Sequence, residues 1–205
     1  MTNLELEIRS VVVGPLRTNC YCVISRGESL IIDPGGNPEK ILPLVKGTKI
    51  KAIIATHGHF DHVLAVPILK KKLDVEFWIH RDDVEIMESY MKHMYMYGIP
   101  KPDKYVDEGD MIIVGDVKLG ILHTPGHTPG SISIYNYASK IIFTGDTLFR
   151  GALGRTDLPG GDIHKLFGSL KKIFSLFTKD FVVYPGHGEK TTLRQEYVHY
   201  AELLR

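Results

Sequence analysis

The chemistry of this chain is concentrated in its histidines. Ten occur in 205 residues, and the segment His57-x-His59-x-Asp61-His62 gathers three of them with an aspartate into six positions. At the residue frequencies of this chain, chance produces that arrangement about one time in 700. Further along, His127, Asp146 and His187 each follow an apolar run and each sits beside a glycine. Imidazole and carboxylate are the donors that a borderline-soft divalent metal takes. A metal so held lowers the pKa of bound water toward neutrality and supplies hydroxide. The bland alternative, histidines satisfied separately on the surface or in the core, has no account of the clustering.

The elements that must position these residues follow a single pattern. The apolar run ending at Ala55 leads to His57, the run ending at Leu122 to His127, the run ending at Phe143 to Asp146, and the run ending at Tyr184 to His187. Packed strands hold such loops rigidly, and glycine lets the backbone turn so that the side chains converge. In an extended segment i and i+2 share a face, so His57 and His59 can serve one ion. Asp61 and His62 are neighbours, so a bend is needed before both serve a second ion, and Gly58 is expected to permit it.

Residues 11–13, 21–24 and 30–32 are β-branched runs separated by turn residues, read as a strand meander ending at Asp33-Pro34-Gly35-Gly36. Further strands are predicted over 51–55, 75–79, 111–114, 117–122, 132–137, 141–143 and 181–184. Helices are predicted over 38–45, from Pro67, over 82 to about 96, over 163–177 and from Thr191, with a glycine-rich loop over 145–161. Strands interleaved with helices indicate an α/β protein, and the mixture of hairpins and crossovers argues against a purely parallel sheet. Met87, Tyr90, Met91, Met94 and Tyr97 recur at helical spacing, as a core or dimer-facing stripe or as an apolar wall over the metal site. His80, His93, His123, His164 and His199 fall outside the ligand pattern, although His123 is near enough to support it. The run of three lysines at 70–72 reads as a solvated helix face.

Composition excludes several classes. The chain is 43% hydrophobic and 24% charged with a net charge of +1, so disorder is not expected and no global field draws it to nucleic acid or an anionic membrane. One domain over residues 1–205 is expected. No apolar run approaches the ~18 residues of a spanning helix, and charges occupy the N-terminal positions where a signal peptide is apolar. A cytoplasmic protein with no membrane partner is the resulting expectation. Cys20 and Cys22, at i and i+2, are poorly placed for an unstrained bridge and read as buried reduced thiols.

Taken together, the motifs resemble the metallo-β-lactamase superfamily, and within it the glyoxalase II-like hydrolases, over nearly the whole chain. The matching segments are residues 30–35 ending in Asp33-Pro34-Gly35, the His57–His62 segment, residues 123–131 around His127, residues 143–148 around Asp146, and residues 184–188 around His187. The resemblance implies a four-layer αββα sandwich of two mixed β-sheets. It places His57, His59 and His127 on one metal, Asp61, His62 and His187 on a second, and Asp146 between them. Asp33 is then a residue that steadies the ligand loops; an ordinary turn aspartate is its plainer reading.

Two divalent ions ~3.5–4 Å apart can share a water and polarise a carbonyl. Zinc is the first expectation, with iron or manganese as alternatives. A thioester suits such a site because its thiolate leaves without a protonating acid, and the sequence offers no separate acid. Asp61 can both bind metal and orient the attacking hydroxide. The expected substrate is a small-molecule acyl thioester such as hydroxyacyl-glutathione. Only 18 residues follow His187, so the helical domain with which the two-domain enzymes grip glutathione is not expected, and a monomer or homodimer is. Gly154-Arg155-Thr156-Asp157 resembles a loop of the short, single-domain branch; Arg155 is read as pairing with a substrate carboxylate or with a nearby acid, and Thr156 and Asp157 as its neighbours in substrate binding.

The rival expectation is a mononuclear iron persulfide dioxygenase, which the chain also resembles, with iron on His57, His127 and Asp146. A lactonase or β-lactamase, a nucleic-acid-processing member and a non-catalytic metal scaffold are weaker alternatives, the second disfavoured by the near-zero net charge.

Overall fold

The computed structural model describes residues 5–94 and 98–202. Its first sheet begins as an antiparallel meander of β1 (Glu7–Val13), β2 (Thr18–Ser25) and β3 (Glu28–Ile32). It continues in parallel through β4 (Lys49–Ile54), β5 (Phe77–Ile79) and β6 (Lys104–Tyr105), so that the six strands lie in chain order. The parallel crossovers carry α1 (Pro38–Ile41), continued by a 3-10 turn over Leu42–Val45, then α2 (Phe60–Val63) and α3 (Val66–Leu73), and finally α4 (Val84–Met91).

The second sheet starts with the hairpins of β7 (Met111–Val114), β8 (Val117–His123), β9 (Ile132–Asn136) and β10 (Ile141–Gly145). A two-stranded ribbon, β11 (Leu148–Phe149) with β12 (Ala152–Leu153), and α5 (Ile163–Leu176) intervene before β13 (Val182–Pro185) pairs in parallel with β10. Strand β14 (Thr191–Thr192) then forms the edge and α6 (Leu193–Tyr200) follows.

Period-2 alternation produces the layers. In β2, Cys20, Cys22 and Ile24 face Ile41, Leu69 and Met87 of the helices outside the first sheet. Tyr21 and Val23 face the other way, meeting Ile121, Ile134 and Phe143 of the second sheet. A third core packs Leu122, Ile142 and Val183 beneath Leu170, Ile173 and Leu193. The fold is the αββα sandwich that the resemblance implies. Both cysteines are free, and burial pushes the Cys22 thiol up to about 12.

Several local expectations are revised. The helix predicted from 82 to about 96 opens as a 3-10 turn over Arg81–Asp83 and stops at Met91, where His93 N–H bonds Tyr90 O and Met94 N–H bonds Met91 O in tightened i→i+3 geometry. Met87 and Met91 are buried in the first core, so these two belong to the core stripe, whereas Tyr97 lies outside the described residues. The loop predicted over 145–161 contains the β11–β12 ribbon. The last helix begins at Leu193 because Thr191 and Thr192 first pair with β13.

Candidate metal centre

Four strand ends deliver the donors. His57 and His59 lie just beyond β4, with Asp61 and His62 on the single turn of α2 that follows at once. His127 lies in the loop after β8, Asp146 directly after β10, and His187 two residues after β13. The turn of α2 supplies the bend that was expected of Gly58. Gly58 is needed for space instead, since a Cβ there would stand 2.5 Å from Asp83 O. At Gly186 a Cβ would stand 2.2 Å from Asp146 Oδ1 and 2.8 Å from His62 Cε1, so the β13 loop passes directly against the donors.

The structure brings all seven predicted donors together. His57, His59 and His127 form one group whose ligand atoms lie within 4.8 Å of one another; Asp61, His62 and His187 form a second, and His57, His62 and Asp146 a third that links them. Asp146 Oδ1 is 3.3 Å from His62 Nε2, and its Oδ2 is 3.6 Å from His127 Nε2 and 3.5 Å from His187 Nε2. Asp61 Oδ2 is 3.2 Å from His187 Nε2 and 3.5 Å from His62 Nε2. His57, His59, Asp61, His62 and His127 are buried.

Hydrogen bonds to the far nitrogens orient the rings. His127 Nδ1 donates to the Arg155 carbonyl at 2.7 Å, and His187 Nδ1 to the Leu16 carbonyl at 3.1 Å, so each ring turns its Nε2 toward the centre. Thr56 Oγ1 spends its proton on Asp33 Oδ2 at 2.7 Å, so it accepts from His57 Nδ1 at 3.2 Å. His62 Nδ1 lies 3.0 Å from Asp33 Oδ2. Asp33 also accepts the Thr56 backbone N–H, and it holds a left-handed φ of 53° to do so. It therefore braces the His57–His62 segment at both ends rather than merely closing a turn.

The donor set fits a divalent metal. Among the described residues, His57 Nε2, His62 Nε2 and Asp146 Oδ1 are buried without a hydrogen-bond partner, an arrangement that is costly unless a cation satisfies them. The electrostatics divide the centre. Burial, reinforced by neighbouring imidazoles, holds His57 well below the ordinary range and His59 down to about 4, so both are neutral donors. On the other side burial opposes charge, but Asp146, Asp61 and Asp33 overcome it and hold the His62 imidazole well above its usual value. Burial likewise opposes ionisation of Asp61, yet His62, His187 and Thr18 bring it down to about 2.

Two features were not legible in sequence. Asp83, read only as part of a helix start, is buried and accepts the Gly58 and Gly130 backbone N–H groups at 2.7 and 2.5 Å and the Thr128 hydroxyl at 2.7 Å. It ties the His57–His59 loop to the His127 loop. Thr18 donates its hydroxyl to Asp61 Oδ2 at 2.9 Å. Arg155 and Asp157 pair with each other through two bonds of 2.8 and 2.6 Å on the surface, and Thr156 offers its carbonyl to the close approach of Gly161. His123 donates from Nε2 to the Pro129 carbonyl, and among the described residues it makes no hydrogen bond to any of the seven donors.

A pocket of about 370 Å³ opens over the centre, walled by Leu16, Phe60, Tyr90 and Leu158, with Arg155 at its lining. Tyr90 meets the His59 ring edge-on at 5.1 Å, so this member of the Met/Tyr stripe faces the site. Among the described residues no helix is long and apolar enough to cross a membrane.

Comparison with known proteins agrees with this geometry. The profile of the Metallo-beta-lactamase superfamily matches residues 13–187. The hydroxyacylglutathione hydrolase GloC of Haemophilus influenzae is 34% identical over 201 residues, covering 93% of this chain and 95% of that protein. A crystal structure of the B3 metallo-beta-lactamase BLEG-1 superposes with a TM-score of 0.87 at 30% identity, over 97% of this chain and all of that one. A crystal structure of TTHA1623 in a di-iron-bound form superposes with a TM-score of 0.81 at 41% identity, over 92% and 96% of the two chains.

Proposed function

The chain belongs to the metallo-beta-lactamase superfamily, and from that premise we propose that it is a two-metal thioesterase, hydrolysing hydroxyacyl-glutathione or a related acyl thioester to acid and free thiol. One observation carries this reading: two groups of three donors are joined through Asp146 beneath a single pocket. His57, His59 and His127 would hold one ion, Asp61, His62 and His187 the other, and Asp146 would serve both. Zinc suits the imidazole and carboxylate donors, and the di-iron form of TTHA1623 makes iron the principal alternative. When bound, such a pair supplies hydroxide at neutral pH and neutralises charge developing on a carbonyl oxygen.

The remaining chemistry belongs to the chain itself. Asp61 stays ionised, with one oxygen held by Thr18, and is positioned to accept a hydrogen bond from an attacking hydroxide. Leu16, Phe60 and Tyr90 exclude bulk water from the acyl group and strengthen each polar contact beneath it. A thioester needs no proton donor at its leaving sulfur, and among the described residues the pocket lining contains no histidine or carboxylate beyond the seven donors. The name of the Haemophilus relative, a hydroxyacylglutathione hydrolase, supports the same substrate class.

The experiment is metal analysis of the purified protein beside thiol release from lactoyl-glutathione, before and after chelation. Thiol release that vanishes with the metal and returns on reloading is the expected result. Undiminished turnover after complete metal removal overturns the reading. Oxygen uptake on glutathione persulfide with a single bound iron replaces it with the dioxygenase.

A further inference from the structure

A second pocket, of about 480 Å³, adjoins the one over the metal centre. Tyr90 lines both, and near neighbours in the chain straddle the divide: His127 and Leu158 face the first pocket, Pro129 and Pro159 the second. One wall of the second is apolar and close-packed. Gly160, at a φ of 84°, brings the loop after β12 so near α4 that a Cβ there would stand 2.8 Å from Pro129 Cδ and 2.9 Å from Ile86 Cδ1.

The charge in this pocket has one sign. Asp82 and Glu85, three residues apart where α4 opens, both line it with exposed carboxylates, Ser89 adds a hydroxyl, and His93 is the other titratable group. Asp82 reaches His80 at 4.0 Å, and among the described residues neither carboxylate pairs with a lysine or arginine. Arg155 belongs to the metal-side pocket. A cavity of this size with an apolar wall and a few convergent polar groups is suited to a small-molecule arm. The acyl half of a hydroxyacyl thioester is short, so the longer thiol half is the one that needs the added space.

We propose that this second pocket binds the thiol half of the substrate, and that it selects a thiol arm ending in a primary ammonium. Asp82 and Glu85 hold the ammonium while Ile86 and Pro129 pack on the stem. That the thiol end enters here rests on the thioesterase reading. A γ-glutamyl end supplies such an ammonium. A phosphorylated arm, such as that of coenzyme A, meets two carboxylates and is disfavoured.

The test titrates zinc-loaded protein with S-methylglutathione, an inert thioether, and with its N-acetyl derivative, in which the ammonium is capped. Binding is followed by the NMR shifts of the Ile86 methyl groups and the Gly160 amide. Wild type is expected to bind the uncapped form roughly fivefold more tightly, the upper end for an exposed charge pair. Asp82→Asn combined with Glu85→Gln is expected to abolish that preference and to keep the metal content. Ser89→Trp, which fills the pocket from an exposed helix position, is expected to weaken both ligands. Absent binding, equal affinity for the two forms, a preference that survives the double substitution, or shifts that spare Ile86 and Gly160 overturn the proposal. Thiol release from lactoyl-glutathione, measured on the same preparations, separates the two readings. Ammonium-dependent binding without release overturns hydrolysis and leaves the binding site; release with ammonium-independent binding overturns the site and leaves hydrolysis.

Discussion

His127 Nε2 lies 2.9 Å from His59 Nδ1. The other nitrogen of His127 already gives its proton to the Arg155 carbonyl, so Nε2 faces His59 with a lone pair. At most one proton fits between them, whereas a cation satisfies both. Chelation is therefore expected to lower the thermal midpoint, by an amount corresponding to about 2.7 kcal/mol when free metal stands at 100 times Kd. His59→Ala is expected to bind less metal and to show a smaller chelation shift. Calorimetry with metal analysis checks both.

Metal uptake is expected to release protons. In the metal-free chain burial opposes the charged form of His187, but its bonds to Asp146 and Asp61 raise it from 6.5 to about 9. At neutral pH this ring is protonated, and coordination through Nε2 must displace the proton, so affinity rises with pH up to about 9. The same raised value stabilises the metal-free fold fully below pH 6.5, and that contribution is lost as pH rises through about 9. Titration calorimetry in buffers of different ionisation enthalpy measures the release; zero release contradicts the assignment of His187 as a donor.

Asp33→Asn removes the charge beside His62 Nδ1 while keeping a possible acceptor for Thr56. Partners of this kind are worth about 10–100-fold in metal affinity or activity. A loss in that range with little change in urea stability is expected. An unchanged metal affinity would mean that Asp33 only shapes its turn.

Asp83→Ala leaves the Gly58 N–H, the Gly130 N–H and the Thr128 hydroxyl without their acceptor. At about 1–3 kcal/mol for each buried group stranded, urea denaturation is expected to show a loss of roughly 3 kcal/mol or more. The two ligand loops also lose their common tie, so metal affinity is expected to fall with stability.

Gly186→Ala tests the close approach to Asp146. The added methyl meets the Asp146 carboxylate at 2.2 Å, so the carboxylate must move. Activity and metal retention are expected to fall while the circular dichroism spectrum stays that of the folded protein.

What the sequence determined by itself was the clustering of ligand-type residues and a mixed α/β class; the αββα layering came from the family resemblance. His57, His59, Asp61 and His62 are close in the chain, and each remaining donor lies within five residues after an apolar run, so local spacing and strand periodicity suffice to single them out. The alternation within β2, with Cys20 and Cys22 on one face and Tyr21 and Val23 on the other, similarly marks two cores. Tertiary structure decided how the donors are aimed. The tautomers of His127 and His187 depend on carbonyls of Arg155 and Leu16, at separations of 28 and 171 residues. Nothing in the dipeptide Asp82-Asp83 tells the exposed carboxylate from the buried one that joins two loops. Gly58 looks like a hinge in sequence and acts as a spacer in space. Donor identity is a property of side-chain chemistry and short-range geometry, which a sequence carries; proton position and orientation depend on partners brought in from distant segments, which only packing supplies.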